Sequence, residues 1–175
     1  PFDVQTVTRL MEIDSIVGLK DSSGQMLYFH KLLQIASIRP DFTLLMGPEE
    51  LMAEAVLLGG HGGICGGANL APRLYVQLYE AARHGDMHAV RHLHERVIRL
   101  SNQLYTVGPA SSSYLRGLKC ALSLVGLCED YLAEPFRRFD TEERRLLQER
   151  LALLELENQE GILVMSRIHG GSNGG

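Results

Sequence analysis

From Ile16 to Arg83 the chain alternates short apolar runs with longer stretches in which apolar positions recur every three or four residues. The runs are "IVGLK" at 16–20, "FTLLM" at 42–46 and "GGIC" at 62–65, and the stretches between and after them, near 25–38, 49–59 and 72–83, read as helices. Runs that are apolar throughout fit strands buried on both faces, and helical crossovers between them require a parallel sheet. The pattern predicts an α/β fold. Turn signals agree: Asp21 to Gly24 breaks the first strand from its helix, Pro40-Asp41 ends that helix, and Gly47-Pro48 turns the second strand into the next one. The segment "DVQTVTRLMEI" reads as a further helix ahead of the first strand, so the chain is expected to open in mid-pattern with something absent upstream.

Beyond Arg83 the rhythm stops. "GDMHAVRHLHERVIRLSNQLY", "SSSYLRGLKCALSLVGL" and "DTEERRLLQERLALLELE" read as three helices, the last opened by a capping pattern of Asp140 and Glu143. Three parallel strands cannot close a barrel. The order of β/α units followed by helices fits the C-terminal part of a (β/α)8 TIM barrel with a C-terminal helical extension, since a whole barrel usually takes roughly 250 residues. The expected division is a partial barrel over 1–83, helices over 84–157, and a tail over 158–175, partly disordered, that ends in "HGGSNGG".

Composition narrows the function classes. The 175 residues are 45% hydrophobic and 22% charged, the balance of an ordinary globular chain. A net charge of −4 and a pI near 6.0 offer no basic face for phosphates, which argues against nucleic acid and for small-molecule chemistry. No apolar run is long enough to span a bilayer and no targeting signal is visible, so a cytoplasmic protein without a membrane partner is expected. Cys65, Cys120 and Cys128 stand in apolar contexts without metal spacing and read as reduced core thiols. His84, His88 and His92 step by four along a helix, yet no carboxylate completes a ligand set, and they read as a solvated face. "GGHGGICGG" fails the dinucleotide pattern because position 65 is cysteine.

The candidate chemistry lies in "GLKDSSG" at 18–24, where Lys20 is expected to be the last residue of the first strand. In β/α barrels the working groups sit at the carboxyl ends of strands. A lysine held among apolar neighbours is disfavoured in its charged form, which leaves a free amine to attack a carbonyl and form a Schiff base. The competing reading is a strand-end lysine that simply reaches into solvent.

"GLKDSSG" resembles the Schiff-base strand of the dihydrodipicolinate synthase and N-acetylneuraminate lyase family of class I aldolases. "MGPEELMAEAVLLGGHGGICGGANLAPR" at 46–73 is similar to that family's glycine-acidic strand end, Gly-Gly-His-Gly turn and Ala-Asn strand close. "LKCALSLVGL" at 118–127 resembles its Lys-x-Ala helix. The resemblance implies a pyruvate-dependent Schiff-base lyase or aldolase that makes or breaks C–C bonds on 2-keto acids. It uses no metal or organic cofactor, takes a pyruvate-like small molecule, and works as a homo-oligomer, a dimer or tetramer. Lys20 would be the catalytic residue, with Gly47 and Ile64, and more weakly Glu49 and Gly66, lining the substrate site. It also implies that the proton-relaying tyrosine and the Gly-Thr-Thr carboxylate loop belong to strands ahead of Pro1, so this fragment alone is expected to be inactive.

Alternatives remain open at this level. Glu49 and Glu50 could instead be first-turn glutamates favoured by the helix dipole. Cys65 reads as inert packing, and "GG" at 66–67 weighs against sialic acid as substrate. A keto-deoxy sugar acid dehydratase of the same family would share Lys20. A noncatalytic fragment or oligomerisation subunit would use Leu146, Leu147, Leu151 and Leu154, a stripe that is either core or subunit surface.

Overall fold

Asp3 opens the first helix, α1 (Val4–Leu10), by accepting the Thr6 backbone N–H at 2.9 Å. The computed structural model describes residues 1–108 and 113–157; the tail expected over 158–175 lies outside them. In chain order there follow β1 (Gly18–Asp21), α2 (Met26–Ala36), β2 (Thr43–Met46), a 3-10 turn (Glu49–Leu51) leading into α3 (Met52–Leu57), β3 (Gly62–Gly63), and α4 (Pro72–His84). After these come α5 (Met87–Tyr105), α6 (Ser113–Leu124) and α7 (Thr141–Glu157). Every strand and helix expected from the pattern is present, with ends shifted by a few residues.

The residues form two compact units: 1–65 with 75–95, and 66–74 with Arg96 onward. In the first unit the strands lie in the order β1-β2-β3, all parallel, with Gly18 opposite Thr43, Lys20 opposite Leu45, Asp21 opposite Met46, and Met46 opposite Gly63. One face of this sheet is packed. Leu44 and Met46 are buried in a core with Val7, Phe29, Leu32 and Phe42, contributed by α1, α2 and the approach to β2. The other face, with Gly18, Thr43 and Leu45 half-buried and Lys20 exposed, is open within this unit. Side chains alternate across the sheet: α1 and α2 bury one side, and on the other the described residues of this unit leave the strands half-buried, where the strands were expected to be buried on both faces.

Arg39 binds the entry to β1. Its Nη1 donates to the carbonyls of Met11 at 2.9 Å and Ile16 at 3.0 Å, and its Nε to Asp41 at 3.2 Å. Carbonyls left unpaired by the turn after α1 thereby gain a donor. At the other edge, the Leu44 N–H donates to Nδ1 of His61 at 3.0 Å while the His61 N–H returns to the Leu44 carbonyl at 2.9 Å, so the histidine of the Gly-rich turn sets where β3 begins.

In the second unit α6 packs close to the end of α5. Gly117 makes this possible, because a Cβ there would overlap the Leu104 carbonyl. Arg116 holds the segment before α7: it donates to the carbonyl of Arg137 at 2.9 Å and to Glu143 at 2.5 Å, and its guanidinium stacks on the Phe139 ring at 4.5 Å. The start of α7 has the expected reciprocal cap, Glu143 N–H to Asp140 Oδ1 at 2.8 Å and Asp140 N–H to Glu143 Oε2 at 3.0 Å. Leu147, Leu151 and Leu154 are buried, whereas Leu146 is exposed, so the stripe is core at three positions and surface at the fourth. Cys120 is buried, but Cys128 is exposed, which corrects the reading of all three thiols as core.

Candidate active site

The three parallel strands end side by side; Lys20 lies opposite Leu45 near the end of β1, and Gly47 and Ile64 directly follow β2 and β3. Ile64 continues the pairing beyond β3 by donating its N–H to the Met46 carbonyl at 2.9 Å. Its side chain is half exposed. Lys20 is the penultimate residue of β1, and Asp21 closes the strand. Strand alternation decides which side chain faces where. Lys20 points to the open face and is exposed, whereas Asp21 turns to the packed face and is 4% exposed.

Gly47 forms the bed on which this lysine lies. A Cβ at Gly47 would come within 3.0 Å of Lys20 Cε, 2.9 Å of the Asp21 carbonyl oxygen and 2.5 Å of Ser22 Oγ. The Gly47 N–H donates to that same Asp21 carbonyl at 2.7 Å, tying the exit of β2 to the end of β1. The missing side chain at position 47 is thus space already taken by the lysine's aliphatic stem and the serine hydroxyl. The Gly-Pro turn signal located this glycine, but nothing in the pattern showed that Ser22 would share its space.

Glu49 lies two residues further on. It is 2% exposed and accepts the Tyr75 hydroxyl from α4 at 2.6 Å. A charge-assisted bond this short satisfies a carboxylate that burial would otherwise penalise. Tyr75 was not among the expected site residues, since its position on α4 matched the ordinary apolar period. Glu50 carries its carbonyl to Nε2 of His94 on α5, at 2.7 Å. Cys65 sits beside this group, its Sγ 3.7 Å from Met52 Sδ. Burial, followed by the charges of Glu49 and Glu50, pushes its thiol up to about 12, with Lys20 pulling weakly the other way. A thiol so placed carries no thiolate near neutral pH and packs rather than reacts.

Gly66 belongs to the second unit, where a Cβ would overlap the Tyr114 hydroxyl. The histidine ladder is solvated: His84, His88 and His92 are exposed, and His84 Nδ1 is spent on the Glu80 carbonyl at 2.8 Å. Among the described residues no group of three or more His, Cys, Asp or Glu side chains is placed to hold a metal. None of the described helices is long and apolar enough to cross a membrane.

Parallel strands joined by helices, with Lys20 near the carboxyl end of β1, define an α/β fold of the β/α-barrel class. Residues 2–153 match the model of the dihydrodipicolinate synthetase family, and the chain belongs to that family. The dihydrodipicolinate synthase of Bacteroides thetaiotaomicron superposes with a TM-score of 0.83 at 50% identity, over 87% of this chain and 51% of that one. The 4-hydroxy-tetrahydrodipicolinate synthase of Archaeoglobus fulgidus is 33% identical over 153 residues, 87% of this chain and 50% of its own length. A probable 2-dehydro-3-deoxy-D-pentonate aldolase of Escherichia coli is 31% identical over 134 residues, 75% of this chain and 43% of its own. The chain spans about half the length of the curated relatives it matches.

Proposed function

We propose that this chain carries the covalent centre of a pyruvate-dependent Schiff-base lyase, in the C-terminal portion of a β/α barrel, with Lys20 as the residue that bonds to substrate. The amine attacks the keto carbon of a 2-keto acid, and the carbinolamine loses water to give a protonated imine. That imine accepts the electron pair released when the C3–C4 bond breaks, or when a proton leaves C3, and becomes an enamine; the enamine takes a proton, or bonds to the carbonyl carbon of an aldehyde, at C3, and hydrolysis of the resulting imine returns the ketone and frees the lysine. The observation that carries the reading is the placement of Lys20 on the open face, at the carboxyl end of a parallel strand, its stem laid across a residue without a side chain. Membership of the dihydrodipicolinate synthetase family supports the same reaction class. Gly47 and Ile64 would border the bound keto acid, and Cys65, protonated and packed, would stay out of the chemistry.

The test is chemical trapping in the full-length protein that carries this chain. Incubation with pyruvate and borohydride should add a reduced pyruvyl group at Lys20 alone, because exposed lysines such as Lys31 are not placed beside a substrate site. Lys20→Arg keeps the charge but forms no imine, and should lose both trapping and turnover. An adduct mapped to Lys31 or Lys119, or substantial activity in Lys20→Arg, would sink the assignment.

A further inference from the structure

The residue after the lysine is the more costly one to place. Asp21 is a carboxylate on the packed face of the sheet, 4% exposed and opposite the fully buried Met46. Its Oδ1 accepts the Ser23 N–H at 2.8 Å, while Oδ2 is buried without a hydrogen-bond partner among the described residues. The charge makes itself felt nearby: the Tyr28 phenol is pushed up first by burial and then by Asp21. A carboxylate set in a core with one oxygen unmatched is unfavourable in itself, and such groups call for an explanation in function or geometry.

The geometry supplies one. The bond from Ser23 N–H to Oδ1 closes an Asx turn, which reverses the chain directly after Lys20. The Asp21 carbonyl meanwhile receives the Gly47 N–H at 2.7 Å. Side chain and main chain of one residue therefore clamp the exit of β1 from both sides. This clamp brings Ser22 Oγ and Lys20 Cε against the same bare face of Gly47, at 2.5 and 3.0 Å from its Cβ position. Side chains on adjacent residues of a strand point to opposite faces, so Asp21 does not reach the amine directly. It acts on the backbone from which the lysine extends.

We propose that Asp21 is a positioning residue for Lys20, whose buried Asx turn sets the height and direction of the lysine stem on Gly47. The proposal rests on the Schiff-base reading of Lys20. Its test uses the full-length protein in three forms, wild type, Asp21→Ala and Asp21→Asn, and measures the rate of borohydride trapping at saturating pyruvate together with the pyruvate concentration for half-maximal trapping. All are run well below the unfolding temperature, with circular dichroism to confirm the fold. Misplacing a reacting group by about 1 Å costs on the order of 100-fold. Asp21→Ala, folded but without the turn, should slow trapping by roughly 10- to 100-fold at nearly unchanged pyruvate affinity. Asp21→Asn keeps an oxygen at the Oδ1 position and should trap close to the wild-type rate. A folded Asp21→Ala that traps like wild type would overturn the proposal, and so would a folded Asp21→Asn that traps as slowly as the alanine form should. If Asp21→Ala does not fold, the asparagine form alone decides. A wild-type adduct absent from Lys20 would instead refute the underlying lysine reading, so the two failures are told apart.

Discussion

Replacing Gly117 by alanine reverses the usual sign of a glycine-to-alanine change in a helix. At an exposed helical position the substitution would gain about 1 kcal/mol, because alanine has less backbone entropy to lose. Gly117 is buried in α6, and its missing Cβ is the space occupied by the Leu104 carbonyl of α5. Neither partner can swing aside: one is main chain, and the other would be bonded directly to main chain. Leu104 is fully buried, and Cys120 and Ala121 of α6 are likewise buried at 1% and 0% exposure, so relief requires the two helices to separate. Overpacking of this kind costs roughly 1–3 kcal/mol. Because the overlap is with a main-chain oxygen the cost lies at the upper end, about 3 kcal/mol, and set against the helical gain the net change is a destabilisation of about 2 kcal/mol. For a chain of this size that is a fall of about 4–8 °C in the midpoint of thermal unfolding. Scanning calorimetry on the full-length wild type and variant would read it. A midpoint equal to or above wild type would show that the approach of α6 to α5 is not as close as described.

Two further outcomes follow from the same chain of reasoning. Removing the cap with Asp140→Ala leaves the first N–H groups of α7 unmatched and should cost about 1 kcal/mol, read as a lowered urea midpoint, with Asp140→Ser recovering most of it. Arg39 holds the Asp41 carboxyl below its ordinary 3.8, chiefly by hydrogen bonding, so the contribution of this pair is complete above 3.8 and is lost as pH falls through the lowered value. Asp41→Asn should lower stability slightly in the neutral region, where the pair contributes, and leave it nearly unchanged below the lowered value, so that the acid limb of stability against pH flattens; an acid limb identical to wild type would refute the assignment.

Much of the fold was legible because β1 and β2 are short, apolar and bounded by Gly and Pro, and the helices between them keep a clean period. What the pattern misjudged was how far the sheet is covered. "FTLLM" looks uniformly apolar, yet Leu44 and Met46 enter the core while Thr43 and Leu45 face the open side. Burial on the second face depends on residues that pack there, and a run of apolar letters does not report them. Lys20 was found from its position at the end of such a run, but its neighbour Asp21 was not, because an acidic residue after a strand reads as the start of a turn. Strand alternation alone would have sent its side chain inward. The Glu49–Tyr75 pair was hidden for another reason: the two are 26 residues apart, and only the path from the 3-10 turn to α4 brings them together.

The open face of the β1–β2–β3 sheet has a consequence for how this protein can change over time. The helices that stabilise the sheet grip it from behind, through Leu44, Met46 and their neighbours, while Lys20, Gly18, Thr43 and Leu45 look the other way. Thr43 and Leu45 are half-buried, so shortening either side chain removes less packing than shortening the buried Leu44 or Met46 would. On the proposed function, substrate would meet these three strands on the side away from their main packing, so mutation could alter the substrate side while the other keeps the scaffold intact.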